Sequence, residues 1–226
     1  ALDIGNPPVS DEFSDLDQDG NDGDVETDPG LNQKRVSVAQ TAQVRGVAVS
    51  ATSNDDIATF AISVTGGGTV GVAVGAAVNV IESETEAFIG NRAQINQGTG
   101  TAHAGQSVLV AAGSDFNHVG VGAGAAGSGT VSVAPGVDVS ILTVSARAHI
   151  ANEAMVSARS DVTVTAGSEA KVLIISAGVA ISGTVGVGGA VTVFKIDSTT
   201  RADIGAGAEV VAGGNVVLRA TDDTRA

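Results

Sequence analysis

The sequence predicts an all-β protein: a repeat β-solenoid, parallel β-helix-like, built on 54-residue units behind an acidic loop leader. Three observations predict it. A period-two alternation runs from Thr69 to Ile81, Thr-Val-Gly-Val-Ala-Val-Gly-Ala-Ala-Val-Asn-Val-Ile, and returns from Thr130 and from Thr184. Such alternation marks a strand. Matching residue types also stand at fixed distances after each of these threonines, which marks an internal repeat. Finally, the 226 residues include 31 glycines and only 2% aromatics. Small residues and valine suit thin, regularly stacked layers better than an enzyme core of large side chains.

Residues 1–35 form the leader, and residues 36–226 form about three repeats with partial units at both ends. Residues 1–30 hold ten acids and neither Lys nor Arg. Asp15, Asp17, Asp19 and Gly20 fall at positions one, three, five and six of a calcium loop, and Glu26 falls at position twelve. A hard cation wants several oxygens on a tight loop, and the glycine permits the sharp turn. Asn21 and Asp24 complete the candidate Ca2+ ligand set of Asp15, Asp17, Asp19, Asn21, Asp24 and Glu26. The departure is Asp22 at position eight, where such loops carry an aliphatic residue. The stretch is similar to the Asp-rich calcium loops of thrombospondin type 3 and dockerin-like repeats. The alternative is a solvated acidic tail.

Counting from Thr69, Thr130 and Thr184, Ala87, Ala148 and Ala202 are equivalent, as are Ile89, Ile150 and Ile204, and Ile95, Val156 and Val210. Val162, Val164 and Ala166 match Val216, Leu218 and Ala220 at the 54-residue spacing. The first copy carries seven extra residues within Asn96–Gln106, which belong on a surface loop. Each unit reads as four strand segments. The first covers Ile57–Val64, His118–Ala125 and Lys171–Ala180. A Gly-rich turn leads to the valine strand, a polar corner over Glu82–Glu86 leads to Ala-x-Ile, and Val-x-Val-x-Ala closes the unit. Either the unit makes about two coils, or the glycine turn joins its first two strands as a hairpin against a one-coil solenoid.

On the valine strand, Val70, Val72, Val74, Val78 and Val80 share one face, and Gly71, Ala73, Gly75 and Ala77 share the other. The valine face is expected to fill a core. The small face is expected to let another backbone layer come close. Neither face carries a charge before Glu82, so the strand is expected to be covered on both sides.

Charge and motifs narrow the chemistry. Outside the leader 15 acids face 11 bases without a basic patch, so nucleic acid is not an expected partner. The chain has no cysteine, which excludes disulfides and thiolate metal sites. No apolar run reaches the roughly 18–20 residues of a membrane helix. The chain starts at Ala1 without a signal peptide, which reads as a processed product or a fragment. His103, His118 and His149 are read as outward strand or loop positions. Asp138, Lys195, Asp197 and Arg201 are candidates for a polysaccharide-acting site, but they are scattered and lack aromatic platforms. No catalytic residue is assigned.

The unit Gly-Thr-Val-Gly-Val-x-x-x-Val-x-Val, with Arg201–Ala220, resembles the large repetitive filamentous adhesins of Gram-negative bacteria. These include the leukotoxin-type adhesins and, more distantly, filamentous haemagglutinin. The resemblance covers roughly residues 36–226. It implies an extracellular or cell-surface β-solenoid rod exported through an outer-membrane pore, and it brings no catalytic residues. The expected function is therefore non-catalytic: a rod or fibre segment of a secreted surface adhesin or extracellular (biofilm) filament. Its expected partners are other copies of itself or neighbouring repeats of a longer chain, and a host or matrix surface. The alternatives are a self-assembling filament subunit joined end to end by strand addition, and a polysaccharide-acting β-helix enzyme.

Overall fold

A computed structural model describes residues 44–98 and 102–226. The acidic leader and its six candidate calcium ligands lie outside the described residues. All regular structure among those residues is β: β1 (Arg45–Gly67), β2 (Val70–Val72), β3 (Gly75–Ile89), β4 (Gln94–Ile95), β5 (Gln106–Ser128), β6 (Val131–Ile150), β7 (Met155–Ala158), β8 (Val162–Ser182), β9 (Val185–Ile204), β10 (Glu209–Ala212) and β11 (Val216–Arg225).

The strands form three sheets, ordered β1-β5-β8-β11, β4-β7-β10, and β2 with β3 against β6 and then β9. Every ladder is parallel and joins one unit to the next, residue on equivalent residue. Val70 pairs with Val131, and Val131 with Val185. Ile89 pairs with Ile150, which pairs with Ile204. The spacing is 61 residues from the first copy to the second, as in Ile95 with Val156, and 54 thereafter, as in Val156 with Val210. The extra residues fall between β4 and β5, where the chain leaves the sheets.

Two expectations about segmentation are corrected, and the hairpin alternative drops out. The closing strand of one unit and the opening strand of the next are a single element, because alternation continues unbroken through Ser53, Asp55 and Ile57. The stretch Glu82–Glu86 is not a corner. Its glutamates take the outward positions of a continuous β3, while Ser83 and Thr85 point inward and are buried. The glycine turn does not make a hairpin either, since among the described residues no ladder joins strands of the same unit. Each unit places one strand level in each sheet. The one break, between β2 and β3, sits opposite Pro135, which has no N–H to give to the ladder.

Where all three sheets meet, Val108, Val110, Ala148, Ile150, Val156, Val162 and Val164 form the main core. Burying each such valine or isoleucine contributes about 1.5–3 kcal/mol. Beside it, Phe116, Leu142, Val144, Ala170 and Val172 form a second layer between two of the sheets. Beyond that layer only the far halves of β1, β5 and β8 face β2, β3, β6 and β9.

In this two-sheet blade the expected orientation is reversed. Val72 is 54% exposed, whereas its neighbour Ala73 is 1% exposed. Val70, Val74, Val78 and Val80 also point outward, and Gly71, Gly75 and Ala77 point inward. The valine face is therefore not core, and among the described residues nothing covers it. The reason is the narrow gap. A Cβ on Gly75 would stand 1.8 Å from the Ala123 carbonyl oxygen, one on Gly122 2.1 Å from that of Val137, and one on Gly178 2.1 Å from that of Gly189. Backbone lies on backbone, closer than the usual separation of about 10 Å between packed sheets. The expectation that small residues admit a second backbone layer holds, and it is this contact that turns the valines out.

Candidate functional site

Three places carry features beyond the ladders. The first is buried in the middle copy, where the second core layer gives way to the blade. Ser140 donates to Asp138 Oδ1 at 2.7 Å, and the Asn79 amide donates to Ser140 Oγ at 3.1 Å. His118 Nε2 lies 3.5 Å from the same hydroxyl. A Cβ on Gly120 would come within 2.8 Å of Asp138 Oδ2, so the glycine makes the space for the carboxylate. Burial pulls the His118 pKa below its ordinary value, against the opposing pull of the Ile57 backbone and of Asp138. The residues are Ser, His and Asp, but the order is wrong for nucleophilic catalysis. A triad needs the histidine between serine and carboxylate, and here the serine is bonded to the carboxylate. All three side chains are fully buried, so the arrangement is a packed polar network.

The second place is a depression of about 210 Å³ lined by Phe88, Asn91, Arg147, His149, Asn152 and Asp203 among others. Ladder register puts Glu86, Arg147 and Arg201 in one row, and Phe88, His149 and Asp203 in the next outward row. Arg147 reaches Glu86 at 3.7 Å and Asp203 at 3.4 Å, and Arg201 also holds Asp203 at 3.0 Å. The Phe88 and His149 rings stack with centroids 5.3 Å apart. Burial pushes the Asp203 carboxyl up, but the two arginines outweigh it and hold it below the usual carboxylate range. Arg147 is matched by Glu86 and Asp203 one level to either side, and Arg201 by Asp203 on its own strand, so Arg147 ties three levels together.

The structure separates the residues considered for a polysaccharide site. Asp138 is buried, whereas Lys195 pairs with Asp197, and Arg201 with Asp203, on the outward face of β9. His103 is exposed beside Arg45, whose guanidinium nitrogen lies 3.0 Å from Nε2. The expectation that the histidines face outward fails for His118. Its alternating position is inward, and the equivalent residues are Ile57 and Val172. Among the described residues no three His, Cys, Asp or Glu side chains gather as a metal site.

The third place is the blade itself, and it is the candidate functional surface. One outer face carries Val70, Val72, Val78 and Val80 over Val131, Val139 and Ile141, then Val185, Val187, Val191 and Val193. The other carries Phe60, Ile62 and Val64 on β1, and Leu173, Ile175, Val179 and Ile181 on β8. No charged residue occurs from Ile57 to Ile81, nor from Val172 to Phe194; in the middle copy Val119–Val137 is also free of charge. Soluble proteins rarely expose a contiguous apolar patch above a few hundred Å². Sequence reasoning found these valines and placed them on the wrong side. The readable signal was small residues, glycine, alanine, serine and threonine, recurring on the opposite face of the facing strands.

Compared with known proteins, the chain matches no family model, no curated protein and no solved structure.

Proposed function

We propose that the chain is a non-catalytic structural segment of an extracellular or cell-surface filament, a secreted bacterial adhesin rod whose three sheets are the sides of a β-solenoid. One observation carries this reading: Val70, Val131 and Val185 occupy the same place in successive strands of one sheet. A molecule built this way lengthens by adding levels, each contacting only its neighbours, and its outer features repeat along the axis. Length, stiffness and repeated display then follow from the ladders. The buried polar network and the mutually paired charges support a structural role, since neither leaves a reactive group open to a substrate. A host or matrix surface remains the proposed target of the display.

Antibodies raised against the chain test this reading by immuno-electron microscopy of the producing cells. Labelling along surface filaments is expected. Labelling confined to the cell interior, or turnover of a uronate polymer by the purified chain, would overturn it.

A second reading is a subunit that joins end to end by strand addition. It is favoured by β9, which among the described residues pairs only with β6 and leaves its other edge open.

A further inference from the structure

We propose that the blade is a self-association surface, through which copies of this chain pack side by side, face to face, independently of any joining at strand ends. Three observations carry the proposal.

The first is that both faces are apolar while the interior is already full. Inward positions are mostly glycine, alanine, serine and threonine, and at the glycines backbone touches backbone. Ser132 donates across the gap to the Ile181 carbonyl at 2.8 Å. The outward valines therefore cannot turn inward to find cover. Cover must come from outside and must serve two opposite faces.

The second is area. Three strands about 4.8 Å apart, each about 7 to 11 residues long at roughly 3.3 Å per residue with every second side chain outward, present on the order of 350–500 Å² per face. A stable complex buries about 800 Å² on each partner. One face falls short of that, so a single face-to-face contact is weak, and only a stack in which each copy uses both faces buries about that much per copy. A single globular partner on one side leaves the other face wet, whereas a stack of copies covers both.

The third is charge. A bilayer surface selects Trp, Tyr and basic residues at the polarity boundary. This chain has neither Trp nor Tyr and a formal net charge of −14. Residues 1–30, with ten acids and no base, are poorly suited to lie on the valines. A second blade needs none of these features, because flat β faces of valine and isoleucine interdigitate with each other.

The test uses the full 226-residue chain in sedimentation velocity over a wide concentration range, beside a Val72→Lys/Val187→Lys double variant. Both positions are more than half exposed, so the far-UV circular dichroism should not change. The wild type is expected to shift from monomer to dimer and larger species. The variant should weaken that association at least about tenfold. A Val72→Thr/Val187→Thr pair keeps shape and β-branching, and it is expected to weaken association as well if the lysine pair does not fold.

A wild type that stays monomeric throughout overturns the proposal, as it would if another part of the chain covered the blade. Equal association of wild type and the folded variants also overturns it, in favour of joining at strand edges. Monomers that float with phosphatidylcholine vesicles, with flotation lost in the variants, would assign the blade to lipid instead. The proposal rests on the structural reading above. Loss of filament labelling would end that reading, whereas sedimentation alone decides this one.

Discussion

Gly136 stands so close to the facing sheet that a Cβ on it would lie 2.0 Å from the Ala177 carbonyl oxygen. Such contacts make the blade an object held by backbone proximity, with large side chains outside. In the three-sheet core the reverse holds, and valines and isoleucines fill the inside.

The glycines of the two faces should therefore respond in opposite ways to the same methyl group. Gly136→Ala meets backbone at 2.0 and 2.5 Å, and is expected to cost about 1–3 kcal/mol or more. Gly189→Ala has nothing within 4 Å and should be neutral or stabilising by up to about 1 kcal/mol. Urea denaturation midpoints measure both. Similar losses at the two positions would contradict the packing described.

The orientation of the alternating strand makes a second contrast. Ala73→Val adds two methyl groups to the filled interior and should destabilise by about 1–3 kcal/mol. Val72→Ala removes exposed carbon and should stay within about 1 kcal/mol of wild type. Were the valines core, Val72→Ala would be the damaging change. Thermal melts of the two variants decide between the faces.

Acid sensitivity should come in two stages. The His118 pKa is lowered in the folded protein from 6.5, first by burial. A depressed pKa means that the unfolded chain takes up the proton first, so stability is full above about pH 6.5 and falls as the pH drops through that value. His118→Val should flatten the wild-type loss between about pH 7.5 and about pH 5. An unchanged slope would exclude the histidine. The second stage belongs to the carboxyls held below their usual 3.8. Asp161 accepts from the Asn215 backbone; for Asp222, burial opposes the lowering and the hydroxyls of Ser198, Thr200 and Thr224 outweigh it. Their contribution is present above that value and is lost below it.

Calcium at the leader remains a proposal made on Asp15, Asp17, Asp19, Asn21, Asp24 and Glu26. Titration calorimetry of the full chain should give a saturable heat with calcium. An Asp15→Asn/Asp19→Asn/Glu26→Gln variant should abolish that heat without moving the melting temperature of the sheets. A heat that survives in the variant would place the ion elsewhere or show only diffuse screening.

How much was readable depended on the question asked. The register needs only counting, because a parallel ladder pairs equivalent residues. The spacing of Thr69, Thr130 and Thr184 therefore sets Val70 on Val131 and Val131 on Val185. The extra loop between Ile95 and Val108 follows from the same count. Sidedness was not readable in the same way. Alternation says that two faces differ, but a solvent face is recognised by its charges, and from Ile57 to Ile81 there are none on either face. His118 misled for a related reason: alone it reads as a polar outward residue, and only the facing strands show it buried near Asp138, for whose carboxylate Gly120 opens a space.

By itself, then, the chain's own arithmetic determined the all-β class, the unit, the pairing of equivalent residues and the position of the loop. Tertiary structure decided which side of each blade strand is inside. The physical reason is that two sheets brought within backbone contact leave no volume for a valine. The facing glycines claim the interior, and the larger side chains are left on the surface.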